Sequence, residues 1–257
     1  MTQREMKQQV MVTRPALQAA KLAAGINATD AEAFLFPTLE IAPLPISEDN
    51  KKILKQIEQY DIAIFISSNA VKHGLKQIQA ISALPQHTLI ATIGQGSANT
   101  LKTLLGKPAD IVPEKNFNSE GLLATASLQN VSDKRILIIR GNAGREHLKT
   151  TLEQRGASVD YLNVYQRIKP ETNTTDLEQY LQNKQIAAIV ITSAESLKNL
   201  LEMTPEKVIS QLQQVPLLLI NTRLIEVAKE AGFSGKLSVA TEASDAGIIE
   251  SLKEFIC

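Results

Sequence analysis

The hydrophobic residues of this chain fall in short β-branched runs that alternate with segments of helical period. Eight runs predict strands, at residues 10–13, 33–36, 62–66, 89–93, 136–139, 159–162, 188–191 and 217–220. These runs are apolar without strict alternation, which is typical of parallel strands covered on both faces. Eight intervening segments predict helices, at residues 16–24, 50–59, 70–81, 98–105, 145–155, 175–183, 196–203 and 224–231. Glycines are expected to end four of these helices, at Gly25, Gly106, Gly156 and Gly232. The alternation predicts an α/β fold.

The pattern also repeats at an offset of 125 to 127 residues. Residues 10–14 match 136–140, 64–68 match 189–193, 89–94 match 216–221, and 119–123 match 245–249. The matching pieces are strand ends and the turns that follow them. The repeat predicts two doubly wound parallel-sheet lobes of similar topology, with a cleft to which each offers the same polar turns.

Two proline-containing segments, residues 37–45 and 163–170, interrupt the alternation and predict extended linkers. The block before the first linker has two strands, too few for a stable sheet. It either packs on the segment that follows or crosses to the last block, which would leave 45–163 as an inserted domain. The order of the elements leaves both arrangements open.

The amino-acid composition narrows the classes of function that the chain can have. Hydrophobic residues make up 44% of the chain and charged residues 21%, which disfavours disorder. Lys plus Arg equals Asp plus Glu at 27 each, so no basic excess favours a nucleic-acid partner. The single cysteine is Cys257 and the three histidines are scattered, so we expect neither a disulfide nor a metal site. A polar start and the absence of an apolar run of about 18 residues predict a cytoplasmic protein without a membrane span.

Small polar residues follow several predicted strands and precede helices. They are Ser67, Ser68, Gly94, Gly96, Ser97, Thr192 and Ser193. The free N–H groups and positive dipole end of a helix favour an anion there, although such serines are also ordinary N-caps. Arg14 and Arg140 end equivalent strands and add positive charge at the same edge.

Motifs for a nucleotide cofactor are absent from the sequence. Gly94-Gln95-Gly96 would need a glycine at Asn99 to complete a dinucleotide fingerprint, and no GxxxxGK[ST] loop occurs. Tyr165 lies in the second linker, where its phenol could donate a proton or its ring could pack the hinge. Both interpretations of Tyr165 remain open from the residues alone.

The ordered set of motifs resembles a family, the uroporphyrinogen-III synthases of tetrapyrrole biosynthesis. The resemblance is carried by residues 12–15, 36–37, 65–71, 93–98, 118–123, 140–145, 164–167 and 191–193. It weakens at 220–223, where many members have a glycine, a small residue and a threonine, and this chain has Asn221 and Thr222.

The resemblance implies a domain arrangement and a reaction. Residues 1–37 would join 171–257 as one lobe, residues 45–163 would form the other, and 38–44 with 164–170 would be the linker segments. The reaction would be a cofactor-free lyase reaction on hydroxymethylbilane, a linear tetrapyrrole with eight carboxylates. Dehydration and cyclisation with inversion of ring D would give uroporphyrinogen III.

The resemblance also implies roles for individual residues. Tyr165 would be the proton donor to the departing hydroxyl. The substrate would be held by Arg14, Ser67, Ser68, Gly94, Gly96, Ser97, Ser119, Arg140, Gly141, Asn142, Arg145, Thr192, Ser193, Asn221 and Thr222. We expect a monomer with a small-molecule partner, possible transient handover from the preceding enzyme, and no nucleic acid or membrane partner. A two-lobed intracellular binding or sensor protein for a small anion would explain the repeat equally well.

Overall fold

In the computed structural model, the described residues are 7–144 and 146–256, and the chain divides into two compact units. Unit 1 comprises Met1–Glu40 and Ile168–Cys257, and unit 2 comprises Ile41–Arg167. The boundaries therefore fall inside the two segments that the sequence marks as linkers, 38–44 and 164–170.

Both units are α/β. The strands are β1 Gln9–Val12, β2 Glu32–Leu35, β3 Glu40–Pro43, β4 Ile62–Phe65, β5 Leu89–Thr92, β6 Arg135–Gly141, β7 Ser158–Ile168, β8 Ile186–Ile191, β9 Leu217–Leu219 and β10 Leu237–Val239. The helices are α1 Ala16–Asn27, α2 Glu48–Lys55, α3 Ser68–Gln79, α4 Gln95–Leu105, α5 Ser119–Leu123, α6 His147–Gln154, α7 Thr175–Gln182, α8 Ala194–Met203, α9 Ile209–Leu212, α10 Arg223–Glu230 and α11 Asp245–Leu252. Short 3-10 turns occupy Ile57–Gln59, Ala126–Leu128 and Glu206–Val208.

Unit 1 contains a five-stranded sheet in the order β10-β9-β8-β1-β2. The paired strands are parallel, and β1 aligns Val10 with Ala33 on β2 and with Ala188 on β8. Alternate residues enter two separate cores: Met11 packs with α7, α8 and α10, whereas Val10 and Val12 pack with α1 and α11. Burial of both sheet faces explains why these strands are apolar throughout.

Unit 2 repeats this design in a second sheet, in the order β3-β7-β6-β4-β5. The pairs β4–β5, β4–β6 and β6–β7 are parallel. Ala63 and Phe65 on β4 pack with α2, α3 and α4, and Ile62 and Ile64 pack with α5 and α6 on the other face. Both sheets thus confirm the expected doubly wound α/β class.

The elements differ from the predicted ones at several places. The sequence analysis misses β10, α5, α9 and α11. It treats β3 and the last residues of β7, which include Tyr165, as linkers, although both are strands of the unit 2 sheet. Gly106, Gly156 and Gly232 have positive φ and follow α4, α6 and α10, as expected. Gly25 was expected to end α1, which is wrong: the helix continues to Asn27, and a β-carbon at Gly25 would overlap the side chain of Ile249. The glycine therefore allows α1 and α11 to approach closely.

Two buried amide side chains, Asn50 and Gln77, hold the backbone of unit 2 at Leu44 and Asn163, beside the two linker segments. Asn50 Nδ2 donates to Gln77 Oε1 at 3.0 Å and to the carbonyl oxygen of Asn163 at 2.9 Å. Gln77 Nε2 in turn donates to the carbonyl oxygen of Leu44 at 2.9 Å. Asn50 and Gln77 are both buried, so these bonds are shielded from water.

We predict that Asn50→Ala lowers the free energy of unfolding of unit 2 by about 2–4 kcal/mol, because it removes the donor from the buried Gln77 Oε1 and from the half-buried carbonyl oxygen of Asn163. Amide hydrogen exchange of β4 and β6 would report this change for unit 2 specifically. Asn99→Ala is the matched control, since Asn99 accepts its bond from Gln95 on an exposed surface. Equal protection in the two variants would contradict the assigned role of Asn50.

Among the described helices, none is long and apolar enough to cross a membrane.

Candidate functional site

Each sheet has a switch point, where the chain leaves neighbouring strands toward opposite faces. In unit 1, β1 leads to α1 on one face, and the adjacent β8 leads to α8 on the other. In unit 2, β4 leads to α3, and the adjacent β6 leads to α6 on the opposite face. Doubly wound sheets bind ligands at the carboxyl ends of such strand pairs. The candidate residues follow these strands.

The turn after β4 places Ser67 and Ser68 at the start of α3. Ser67 is the N-cap, and its Oγ accepts a hydrogen bond from the backbone N–H of Ala70 at 3.0 Å. The same Oγ lies 3.2 Å from the hydroxyl oxygen of Tyr165. Ser68 is the first helical residue, so α3 begins two residues earlier than predicted.

A register shift in the sheet positions Tyr165. The pairing of β6 with β7 slips between Arg140 and Gly141, so that Gly141 lies opposite Tyr165. The ring packs directly over this glycine, where a β-carbon would lie 2.8 Å from Cε2 of the ring. Tyr165 is 4% exposed, and the N–H of Asn142 donates to its carbonyl oxygen at 2.9 Å. The ring is therefore part of the core, and its hydroxyl is directed to the serine that caps α3.

His73 on α3 is the aromatic neighbour of Tyr165, with ring centroids 6.0 Å apart. Burial lowers the pKa of His73 below its ordinary value, and the positive charges of Lys72 and Lys76 lower it further. The imidazole is consequently neutral at pH 7, and the phenol has an uncharged neighbour on this side.

The turn after β5 places backbone groups at the same edge of the unit 2 sheet, the one formed by the carboxyl ends of its strands. Gly94 is the N-cap of α4 and supplies no side-chain cap, and α4 begins at Gln95 rather than at the predicted 98. Gly96 and Ser97 thus lie in its first turn, and the N–H of Ser97 donates to the carbonyl oxygen of Gly94 at 3.1 Å. Gly96 is exposed and Ser97 is buried. Phe117 covers Gly94, since a β-carbon there would lie 3.1 Å from Cβ of Phe117.

Arg140, at the end of β6, is 5% exposed and makes three contacts inside unit 2. Its Nη1 donates to Glu146 Oε1 at 3.0 Å, its Nε donates to the carbonyl oxygen of Gly141, and its guanidinium lies 4.3 Å from the ring centroid of Tyr161. Tyr161 donates its hydroxyl to Glu146 Oε2 at 2.7 Å. This bond lowers the pKa of Glu146, with Arg140 and Lys149 adding to the effect. Burial, followed by the same bond, raises the pKa of Tyr161 to about 12.

The remaining candidates of unit 2 are Ser119, Asn142 and Arg145. Ser119 is the first residue of α5, and a cavity lined by both residues brings it together with Arg140. Asn142 is exposed after β6. Arg145 lies outside the described residues.

In unit 1, Arg14 follows β1 and forms an ion pair with Asp245, the first residue of α11, at 2.5 Å. Its side chain is 15% exposed. The charge is therefore engaged within its own unit.

Unit 1 also contains a buried chain of hydroxyl groups at its switch point. Thr13 Oγ1 donates to the carbonyl oxygen of Val190 at 2.8 Å and accepts from Ser196 Oγ at 2.9 Å. Ser196 Oγ lies 2.7 Å from Thr38 Oγ1, and Asn199 donates to the carbonyl oxygen of Thr38. These bonds join β1, β8, α8 and the segment after β2.

The turn after β8 carries Thr192 and Ser193, both half-buried. Ser193 is the N-cap of α8 and accepts from the N–H of Ser196 at 3.0 Å. After β9, Asn221 and Thr222 are exposed, and Thr222 precedes α10 without capping it through its side chain. The capping interpretation thus holds for Ser67 and Ser193 and not for Ser68 or Ser97.

Sequence reasoning missed Thr13, Thr38, Ser196, Glu146 and Tyr161 as parts of these networks. The three-residue spacing of Ser193 and Ser196 is one usable signal, because an N-cap and the residue three positions on share one turn. Thr38 and Glu146 carry no such signal. Among the described residues, no group of three or more His, Cys, Asp or Glu side chains could hold a metal ion.

Comparisons with known proteins agree on one family. A family model described as "Uroporphyrinogen-III synthase HemD" matches residues 20–250. The chain is 30% identical to a uroporphyrinogen-III synthase of Escherichia coli K12 over 95% of this chain and 99% of that protein. It is 33% identical to the Proteus mirabilis enzyme of the same name over 75% of this chain and 96% of that protein.

Solved structures show the same fold. A mutant uroporphyrinogen III synthase from the extremely thermophilic bacterium Thermus thermophilus superposes with a TM-score of 0.64 at 17% identity, covering 96% of this chain and 97% of that one. Uroporphyrinogen-III synthetase from Helicobacter pylori 26695 gives 0.61 at 16% identity, covering 97% and 99%.

Proposed function

This chain belongs to the uroporphyrinogen-III synthase family of tetrapyrrole biosynthesis, and from that premise we propose how its residues carry out the cyclisation. The enzyme is a cyclising lyase. The proposed substrate is hydroxymethylbilane, and the proposed product is uroporphyrinogen III, formed without a cofactor.

The observation that supports the proposal most is the contact of 3.2 Å between Tyr165 and Ser67. Ser67 Oγ already accepts from the N–H of Ala70, so its own proton is free to be donated to the phenol oxygen. In that arrangement the proton of Tyr165 is available to the departing hydroxyl of the substrate. A neutral His73 beside the ring leaves the phenol as the acid at this position.

The proposed first step is loss of water. Tyr165 protonates the terminal hydroxyl, the C–O bond breaks with its electron pair leaving in water, and the lone pair of the pyrrole nitrogen stabilises the resulting azafulvenium cation. Ring D then attacks through its substituted carbon to give a spiro intermediate, which fragments and recloses with the ring inverted. The proton that ring D loses as it regains aromaticity restores the phenol of Tyr165. Closure without steering would give the uninverted type I isomer.

The protein's main task in this proposal is to restrict the conformation of the substrate. The eight carboxylates of the substrate are the groups through which the protein can hold it. Backbone N–H groups at the starts of α3, α4, α8 and α10 would hold some of them, through Ser67, Ser68, Gly94, Gly96, Ser97, Thr192, Ser193, Asn221 and Thr222. Each charge-assisted hydrogen bond contributes about 1.5–3 kcal/mol. Further carboxylates are proposed to bind Ser119 at the start of α5, and Arg140, Gly141, Asn142 and Arg145 at the end of β6 and just after it.

We propose two further points about the organisation of the protein. Residues 1–37 with 171–257, and residues 45–163, are the lobes, and 38–44 and 164–170 connect them. The protein acts as a cytoplasmic monomer on a small-molecule substrate that the preceding enzyme hands over transiently.

Arg14 is proposed to contribute to substrate binding through its charge, although it is already paired with Asp245. We predict that Arg14→Gln raises KM severalfold, because the edge of β1 loses its positive charge. Steady-state kinetics of Asp245→Asn supply the comparison, since that variant breaks the same pair and keeps the cation. Unchanged KM in a folded Arg14→Gln protein would assign the pair a purely structural role.

The proposal as a whole is tested by supplying the purified protein with freshly generated hydroxymethylbilane and separating the type I and type III products after oxidation.

A further inference from the structure

A cavity of about 140 Å³ lies within unit 2 at the carboxyl ends of β4, β5 and β6. Its described walls are mostly apolar, and Arg140 is the charged side chain among them. The lining residues are Ile66, Ile93, Ser119, Ile138, Arg140, Gly144, Leu148 and Tyr161. One water molecule takes up about 30 Å³ in the liquid, so the space suits a short chain of about five non-hydrogen atoms. A cavity of this composition fits a group with an apolar stem and an anionic end.

The guanidinium of Arg140 is held rigidly at this cavity. Stacking on Tyr161 and the bond from Nε to the carbonyl oxygen of Gly141 fix its plane, and burial keeps it from bulk water. Nη2 faces Gly144, where a β-carbon would lie 2.9 Å away. Gly144 has a φ of +148°, which a glycine adopts readily, and position 144 places no side chain over Nη2. A cation fixed in this way is prepared to bind a carboxylate.

Glu146 already makes the contact that a ligand carboxylate would make. Its two oxygens accept from Arg140 and from Tyr161, yet its side chain is 64% exposed. An exposed carboxylate on a buried guanidinium can exchange with another carboxylate at small cost, because it returns to water when it leaves. Lys149, 4.9 Å from the ring centroid of Tyr161, adds a second positive charge nearby.

We propose that this cavity is a subsite for one carboxyalkyl side arm of the substrate, and that Glu146 is a built-in competitor for it. The methylene groups of an acetate or propionate arm would lie against Ile66, Ile93 and Ile138. The carboxylate would bridge Nη2 and Nη1 of Arg140, next to Ser119, and would take the Nη1 bond from Glu146. This inference rests on the proposed function for the identity of the substrate. The anion subsite itself is defined by the cavity and Arg140.

The kinetic consequence differs in sign for the two partners. Arg140→Gln should raise KM for hydroxymethylbilane at least tenfold, the scale of one charge-assisted hydrogen bond, with kcat within threefold. Glu146→Gln should lower KM about threefold or more, since it removes the competing charge and keeps the shape. Glu153→Gln, on the helix α6 that Glu146 precedes and paired with Lys149, is the matched control and should leave KM unchanged. A higher KM in Glu146→Gln would overturn the competitor role.

A second measurement needs no turnover. The Nε–H resonance of Arg140 would be followed in ¹H–¹⁵N spectra while propionate is added, with propionamide as the uncharged control. In the wild-type protein we expect a saturable shift with propionate and none with propionamide. In Glu146→Gln the apparent Kd for propionate should fall at least threefold. In Ser119→Leu, where the larger side chain fills the cavity, the shift should be lost. This design also serves if Arg140→Gln fails to fold.

The two possible failures are distinguishable. Absence of any propionate shift in a protein that makes the type III isomer would overturn the subsite and leave the proposed function intact. A saturable shift in a protein that makes only the type I isomer would support the anion subsite and reject the proposed function.

Discussion

Tyr165→Phe is expected to lower kcat for hydroxymethylbilane by about 10²-fold or more, within the usual range for the loss of a general acid. The substitution removes the phenol that bonds to Ser67 and keeps the ring that packs on Gly141. Binding should be little affected, because the acid role concerns the departing hydroxyl and not the carboxylates. Steady-state rates with freshly generated substrate, corrected for spontaneous closure, give the comparison.

Tyr180→Phe is the matched control for this change. Tyr180 lies on α7 in unit 1, where its ring packs edge-on against Phe34. Its variant should keep full activity. A loss of less than threefold in Tyr165→Phe would remove Tyr165 from the acid role and leave it as a packing residue of β7.

Gly141→Ala is expected to cost a similar factor, about 10²-fold in kcat, although it leaves the chemical groups of Tyr165 unchanged. The new β-carbon would lie 2.8 Å from the ring of Tyr165, which is buried and has little room to adjust. Displacing a catalytic group by about 1 Å is enough for an effect of this size. The variant therefore tests whether the position of Tyr165, and not only its hydroxyl, matters.

The double variant Gly141→Ala/Tyr165→Phe separates this mechanism from general damage. If Gly141 acts through Tyr165, the double variant should be no slower than the slower single variant. Gly106→Ala is the stability control, because Gly106 has a φ of +75° and nothing within 4 Å of a β-carbon. It should lose about 1 kcal/mol of stability and keep its activity. Fully additive losses in the double variant would show that Gly141 does not act by placing Tyr165.

The sequence predicted most of the strands well because helices cover both faces of each sheet. Met11 enters one core and Val10 and Val12 the other, so apolar residues run without interruption and mark the strand. The strand β10 escaped detection for the opposite reason: its three residues are only half-buried. The strand β3 contains Pro43, which is tolerated at its edge position in the sheet, but three prolines in 37–45 resemble a linker.

The site was harder to predict, because its contacts join residues far apart in the chain. Ser67 and Tyr165 are 98 positions apart, and Arg14 and Asp245 are 231 apart. A repeat in the sequence can show that Arg14 and Arg140 occupy equivalent strand ends, but not that each has an acidic partner in its own unit. The register shift that brings Tyr165 over Gly141 is likewise a property of the assembled sheet. The roles assigned to these residues stay predictions.

The ratio of type III to type I uroporphyrin formed from fresh hydroxymethylbilane tests the central claim most directly. The purified protein, confirmed as folded by circular dichroism, is compared with buffer alone and with Tyr165→Phe, and the products are oxidised and separated. The account predicts predominantly type III with the wild-type protein, and a shift toward spontaneous type I with the variant. Type I alone, formed at the rate seen in buffer, would contradict the proposed synthase activity and favour a protein that binds a small anion without transforming it.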